Sequence, residues 1–154
     1  METQHRFVVG RADGARILIV AARYYKEVVA SLVTGAVRAV ADAGATSEVI
    51  DIPGAFEAPA AIALAARSGR YDGYIALGCV IRGETSHYDY VCGESARGLM
   101  ELSIRQHLPI GYGILTVENQ AQAIARADPA TRDKGGEAAR ACLAVLALSK
   151  KFPS

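Results

Sequence analysis

His87 is the side chain best able to move a proton near neutral pH, and it directly follows a turn suited to holding an anion. The run Gly78-Cys79-Val80-Ile81-Arg82-Gly83-Glu84-Thr85-Ser86-His87-Tyr88-Asp89-Tyr90 passes from apolar residues through Arg-Gly and two hydroxyls into an amphipathic pattern. Strand, turn and helix start, in that order, leave backbone N–H groups unpaired beside the positive end of a helix dipole. An anion docked there would sit next to an imidazole that the dipole favours in its neutral, basic form. In the plainer reading, Thr85 or Ser86 caps the helix and His87 faces water. Both readings leave first-turn amides open to a ligand. His5 and His107, at a chain end and a helix end, have weaker claims.

Pro53-Gly54-Ala55-Phe56-Glu57 has the same form, an apolar run broken by a turn before a helix. Phe56 could stack on a planar ring while backbone groups of Ala55 and Glu57 bond its edge; otherwise it plugs the core. Tyr24 stands in the corresponding place after an earlier apolar run, and two such aromatics favour a heterocycle site more than either alone. Arg126 and Lys134 flank the irregular residues 127–133. A cation here would reach a phosphate, although most Arg and Lys are solvated surface. Tyr112 lies inside an apolar run and reads as core.

These residues need elements to position them. β-rich runs at 16–22, 46–52, 74–81 and 110–116 alternate with helical patterns at 26–43, 57–68, 87–106, 119–127 and 136–150. The first helix carries Val29, Leu32, Val33, Ala36, Val37 and Val40 on one face, with Gly44 as its C-cap. The third turns Val91, Ala96, Leu99 and Leu102 or Ser103 inward, and the last Ala138, Cys142, Val145 and Leu146. Strands alternating with helices predict an α/β fold: a flavodoxin-like three-layer sandwich with a four-stranded parallel sheet and helices on both faces. Ligands in that architecture bind beyond the carboxyl ends of the strands, which is where the chemical residues above fall. The leader around residues 6–10 reads as a strand without a partner, and pairing with a neighbouring subunit would cover it.

The chain has 154 residues, enough for one domain over 1–154, and its 51% hydrophobic content supports a substantial core. The net charge of +1 and the lack of a basic run give no electrostatic reason for nucleic acid or membrane binding. No apolar stretch approaches the ~20 residues of a membrane span, and no secretion signal is expected. Cys79, Cys92 and Cys142 are odd in number and far apart, so neither a disulfide framework nor a metal spacing is expected. Cys79 and Cys142 read as core thiols of a cytoplasmic protein. Ala21-Ala22-Arg23-Tyr24-Tyr25 replaces a G-x-G-x-x-G, no Walker-type Gly-Lys-Ser/Thr occurs, and Gly93-Glu94-Ser95-Ala96-Arg97 lacks the last glycine of a nucleophile elbow. The expected chemistry uses neither a cofactor nor a metal.

Four segments carry a family resemblance: Pro53-Gly54-Ala55-Phe56-Glu57, residues 76–92, Gly113-Ile114-Leu115-Thr116-Val117-Glu118-Asn119, and Asp133-Lys134-Gly135-Gly136-Glu137-Ala138-Ala139. In order and spacing the chain resembles the lumazine synthases. The resemblance implies condensation of 5-amino-6-(D-ribitylamino)uracil with 3,4-dihydroxy-2-butanone 4-phosphate to give 6,7-dimethyl-8-ribityllumazine, phosphate and water, in riboflavin biosynthesis. By motif, Tyr24 takes the place of a stacking aromatic, and Ala55, Phe56, Glu57, Cys79, Val80 and Ile81 hold the ribitylaminouracil. Glu84 and Thr85 serve the phosphate side, His87 transfers protons, Arg126 binds phosphate and Lys134 is a second cation near it. Tyr112 matches a ring contributed by the adjacent subunit. The resemblance also implies a homopentamer with sites between subunits, residues 1–14 as an arm on a neighbour, and riboflavin synthase as a candidate partner. Tyr24 and Tyr112 stand where the family usually has Phe, which keeps the ring. Asp128-Pro129 replaces the Gly-rich loop of capsid-forming members, which argues against an icosahedral shell. A flavin or lumazine carrier and a structural shell are the alternative readings.

Overall fold

A computed structural model describes residues 7–154. Apolar runs of the right length to cross a sheet form β1 (Arg16–Ala22), β2 (Thr46–Ile52), β3 (Gly73–Ile81) and β4 (Ile110–Val117). Between them lie α1 (Lys26–Asp42), a 3-10 turn (Ala55–Glu57), α2 (Ala58–Ala66) and α3 (His87–Arg105), followed by α4 (Gln120–Ala127) and α5 (Lys134–Lys151). Boundaries follow local chemistry. Gly44, at φ 83°, turns the chain out of α1. Pro59 occupies the first turn of α2, where its missing N–H costs nothing. The Asn119 side chain caps α4 by accepting from the Gln122 amide at 2.9 Å.

All strands run parallel in the order β2-β1-β3-β4. From β1 the chain moves to one side for β2 and to the other for β3, so the switch point, and the crevice it opens, lies between β1 and β3. One core packs α1, α4 and α5 on one face of the sheet through Leu32, Ile75, Leu77 and Leu143. The other packs the 3-10 turn, α2 and α3 on the opposite face through Leu18, Val20, Ile62 and Leu99. Each fully buried Ile or Leu contributes about 1.5–3 kcal/mol. The three-layer α/β sandwich thus matches the sequence expectation. Among the described residues no helix is long and apolar enough to cross a membrane.

Four expectations need correction. Phe7–Gly10 forms no strand, and residues 1–6 of the expected arm, Arg6 among them, lie outside the described residues. An isolated chain offers that segment no strand to pair with. Val37 and Val145, assigned inward, are exposed, and so is Ala96; Ser95 takes the buried place on α3. The packed stripe on each of these helices is narrower than its apolar pattern. The helix expected from residue 57 begins at Ala58, after a 3-10 turn over 55–57 closed by Glu57 N–H donating to the Gly54 carbonyl at 3.2 Å. Tyr112 is not core: it is 42% exposed on β4, the free edge of the sheet.

Candidate active site

Beyond the carboxyl ends of β1 and β3 opens a crevice of about 500 Å³. Its floor is the end of β3, Cys79, Val80 and Ile81; one wall is the 3-10 turn with Ala55, Phe56 and Glu57. Tyr24 closes the side toward α1, and His87, first residue of α3, stands at the rim. Eight of the residues singled out in the sequence therefore meet here. Ala55 is buried with its methyl against the sheet, so the groups it can offer a ligand are on its backbone. Phe56 is 55% exposed and Tyr24 75% exposed. Rings left this open need a ligand or another surface over them. Burial pushes the Cys79 thiol up to about 11, so it is neutral at physiological pH and acts as part of an apolar floor.

The Arg82–Ser86 turn leads from this floor into α3. Its first amide, Arg82 N–H, still pairs with the Val117 carbonyl at 2.9 Å. The Arg82 guanidinium lies 3.1 Å from the Glu118 carboxylate and 4.3 Å above the centre of the Tyr88 ring, which ties the turn to β4 and to α3. Within the described residues the amides of Gly83, Glu84, Thr85 and Ser86 donate to no protein acceptor. Thr85 rather than Ser86 supplies the hydroxyl at the helix start, its Oγ accepting from His87 N–H at 3.3 Å. Glu84 and Thr85 are exposed on this turn, beside the crevice and not among its lining. The outcome is a row of free N–H groups at a helix N-terminus with an imidazole beside them, fit to hold an oxyanion next to a proton carrier.

Tyr112, Arg126 and Lys134 are elsewhere. They line a second pocket of about 290 Å³ along the free edge of β4, between that strand, α4 and the start of α5. The two pockets share no residue. Arg126 is half-buried, with Nη1 donating to the Gln122 carbonyl at 3.2 Å, and pairs with no carboxylate among the described residues. Lys134 Nζ lies 3.0 Å from the Glu137 carboxylate. Burial raises the Tyr112 phenol above its ordinary value, so its hydroxyl is protonated at neutral pH.

Sequence reading missed Tyr25, Gly54, Tyr90 and Val91 in the first pocket and Glu137 in the second. Tyr25 packs edge-on against Tyr24, ring centres 4.9 Å apart at 75°, and so fixes the more exposed ring. The signal for Tyr90 and Glu137 was present: each lies three residues beyond a chosen residue on the same helix, hence on the same face.

A switch-point crevice with exposed aromatic rings, a free helix N-terminus and a rim histidine defines a small-molecule site on a doubly wound α/β protein. Residues 14–150 match the family described as 6,7-dimethyl-8-ribityllumazine synthase. A protein of that name from Sphingopyxis alaskensis is 58% identical over 139 residues, covering 90% of this chain and 97% of that one. The protein of that name from Novosphingobium aromaticivorans is 57% identical over 138 residues, covering 90% and 99%. A third, from Methylobacterium radiotolerans, is 56% identical over 137 residues, covering 89% and 84%. The chain belongs to the 6,7-dimethyl-8-ribityllumazine synthase family.

Proposed function

We propose that the protein condenses 5-amino-6-(D-ribitylamino)uracil with 3,4-dihydroxy-2-butanone 4-phosphate in a site completed by two copies of the chain. Family membership supports the reaction. One observation carries the composite site: the residues expected to bind substrate form two pockets with no residue in common, one aromatic and one cationic. The switch-point crevice of one subunit faces the β4-edge pocket of the next. The pyrimidine stacks between Tyr24 and Phe56, with its edge on backbone groups of Ala55 and Glu57 and on residues 79–81. Glu84, Thr85 and the free turn amides meet the phosphate from one subunit; Arg126, Lys134 and Tyr112 reach it from the other.

The amine of the uracil is itself the nucleophile, so no protein nucleophile is needed. After imine formation come phosphate loss, enol formation, ring closure and dehydration, each with a proton transfer. His87 carries those protons at the rim, adjacent to the amides that hold the leaving phosphate. Holding two reactants in register supplies up to ~7–11 kcal/mol of the barrier reduction, and one acid–base group adds about 10²–10⁴-fold. Such contacts suit a cyclic arrangement in which each subunit uses one face on one neighbour and a different face on the other. Five subunits, a cytoplasmic setting, an N-terminal arm on the neighbour and delivery of product to riboflavin synthase complete the reading. Mixing the purified protein with both substrates and following lumazine fluorescence tests it: formation well above the spontaneous rate is expected. A rate equal to the spontaneous one, with tight lumazine binding, would make the protein a carrier.

A further inference from the structure

Asp133 is one of two buried polar residues among those described, and its backbone is left-handed, φ 46° and ψ 51°. That region disfavours most side chains and tolerates Asp and Asn. The carboxylate caps α5: Oδ1 accepts from Gly136 N–H at 3.2 Å, and Oδ2 lies 3.6 Å from Arg140 Nη1. The space it fills exists because two neighbours lack side chains. A Cβ on Gly35 of α1, or on Gly136, would overlap the Asp133 carboxylate. The preceding loop is tied back as well. Asp133 N–H and Thr131 N–H both donate to the Asp128 carbonyl at 3.0 Å, and the Thr131 hydroxyl reaches the Ala125 carbonyl at 2.5 Å, one residue before Arg126.

We infer that Asp133 is a positioning residue for the cationic pocket: wedged between α1 and α5, it fixes where α5 begins and so where Lys134 stands relative to Arg126. This rests on the reading of Arg126 and Lys134 as phosphate ligands. Lys134 is the first residue of α5, so its place is set by the cap one residue before it. The loop that the Asp133 amide closes begins at Asp128, two residues after Arg126, so the carboxylate fixes the start of α5, and with it Lys134, against a loop anchored near Arg126. Gly35, nearly a hundred residues earlier in sequence, shares the role by leaving room.

Steady-state kinetics of the full-length assembled enzyme with both substrates test the inference. Asp133→Gly keeps the left-handed backbone and removes the carboxylate. It is expected to raise KM for the butanone phosphate about tenfold, with kcat and KM for the pyrimidine within about twofold. Asp133→Asn, with its amide oxygen as the cap, restores KM to within about twofold of wild type. Asp133→Gly with unchanged phosphate KM overturns the inference. An Asn variant as impaired as the Gly variant also overturns it, because lost charge would then be the cause. Should Asp133→Gly not fold, Gly35→Ala carries the test: a selective rise in phosphate KM is expected, and an unmoved KM overturns the inference. Arg126→Ala separates the two levels. If it leaves phosphate KM unchanged, the reading of the pocket falls and the inference with it. If it raises KM while Asp133→Gly does not, the inference alone falls.

Discussion

The crevice at the strand ends and the pocket on the β4 edge are built on opposite principles. The crevice has an apolar floor, three uncovered rings (Tyr24, Phe56 and Tyr90) and a thiol held neutral by burial. Its polar side chains are the tyrosine hydroxyls, the Glu57 carboxylate and one imidazole, with no Lys or Arg among them. The edge pocket holds two cations, one of them beside a carboxylate, and only one ring. The first suits a flat heterocycle and the second an anion. In the proposed reading the two are halves of a bisubstrate site, and a second copy of the chain supplies the complement.

The comparison can be broken at each half, and the largest expected effect belongs to the rim histidine. His87→Ala is expected to lower kcat by about 10²–10⁴-fold and still leave turnover above the spontaneous rate. Wild-type kcat in that variant would remove His87 from the mechanism. On the edge pocket, Arg126→Ala should raise KM for the butanone phosphate by about 10–100-fold, the worth of a charge-assisted hydrogen bond, and leave KM for the pyrimidine alone. A rise in both KM values would mean that the pocket is structural. In the crevice, Tyr24→Ala should raise the pyrimidine KM by about three- to tenfold, while Tyr24→Phe stays within about twofold. A Phe variant as poor as the Ala variant would show that the hydroxyl, not the ring, does the binding.

The smallest expected effect sharpens the contrast in polarity. Burial raises the Cys79 thiol to about 11 in the folded chain. The unfolded chain releases that proton from about pH 9 upward, so the thiol contributes no pH dependence below that point and destabilises the fold progressively as pH climbs toward 11. The pH profile of kcat/KM for the pyrimidine should therefore show no thiol limb below pH 10. A limb near pH 8.5 that disappears in Cys79→Ala would mean a wetter, more polar crevice.

The two halves also differed in how much of them could be read from sequence. The crevice is made largely of short contiguous segments directly after strands, and the rule placing ligands at strand ends gathers Tyr24, Phe56 and His87 from sequence, while Cys79, Val80 and Ile81 follow only from the family resemblance. The sheet itself was legible for the same reason: β1 and β2 fall on the expected residues, and the other elements within two. The edge pocket was not. Arg126 and Lys134 were conspicuous only as cations around an irregular segment, and neither periodicity nor spacing says which strand edge a loop folds against. Tyr112 shows the limit most plainly. An aromatic in an apolar run is core by default, but on an edge strand the same residue faces outward, and strand order depends on long-range packing. Asp133 stood in a resemblance segment, but its burial was not legible: it depends on the absence of a side chain at Gly35, a relation that only the α1–α5 packing creates.

The central claim is that one working site takes a crevice from one chain and an edge pocket from another. Co-refolding equal amounts of two impaired proteins, one bearing His87→Ala and the other Arg126→Ala, tests it directly through lumazine formation at limiting butanone phosphate. In a randomly mixed ring with this head-to-tail contact, about a quarter of the interfaces join two intact halves, so activity should return to about a quarter of wild type. Activity no higher than the average of the two variants assayed alone would contradict the account, because each site would then lie within a single chain.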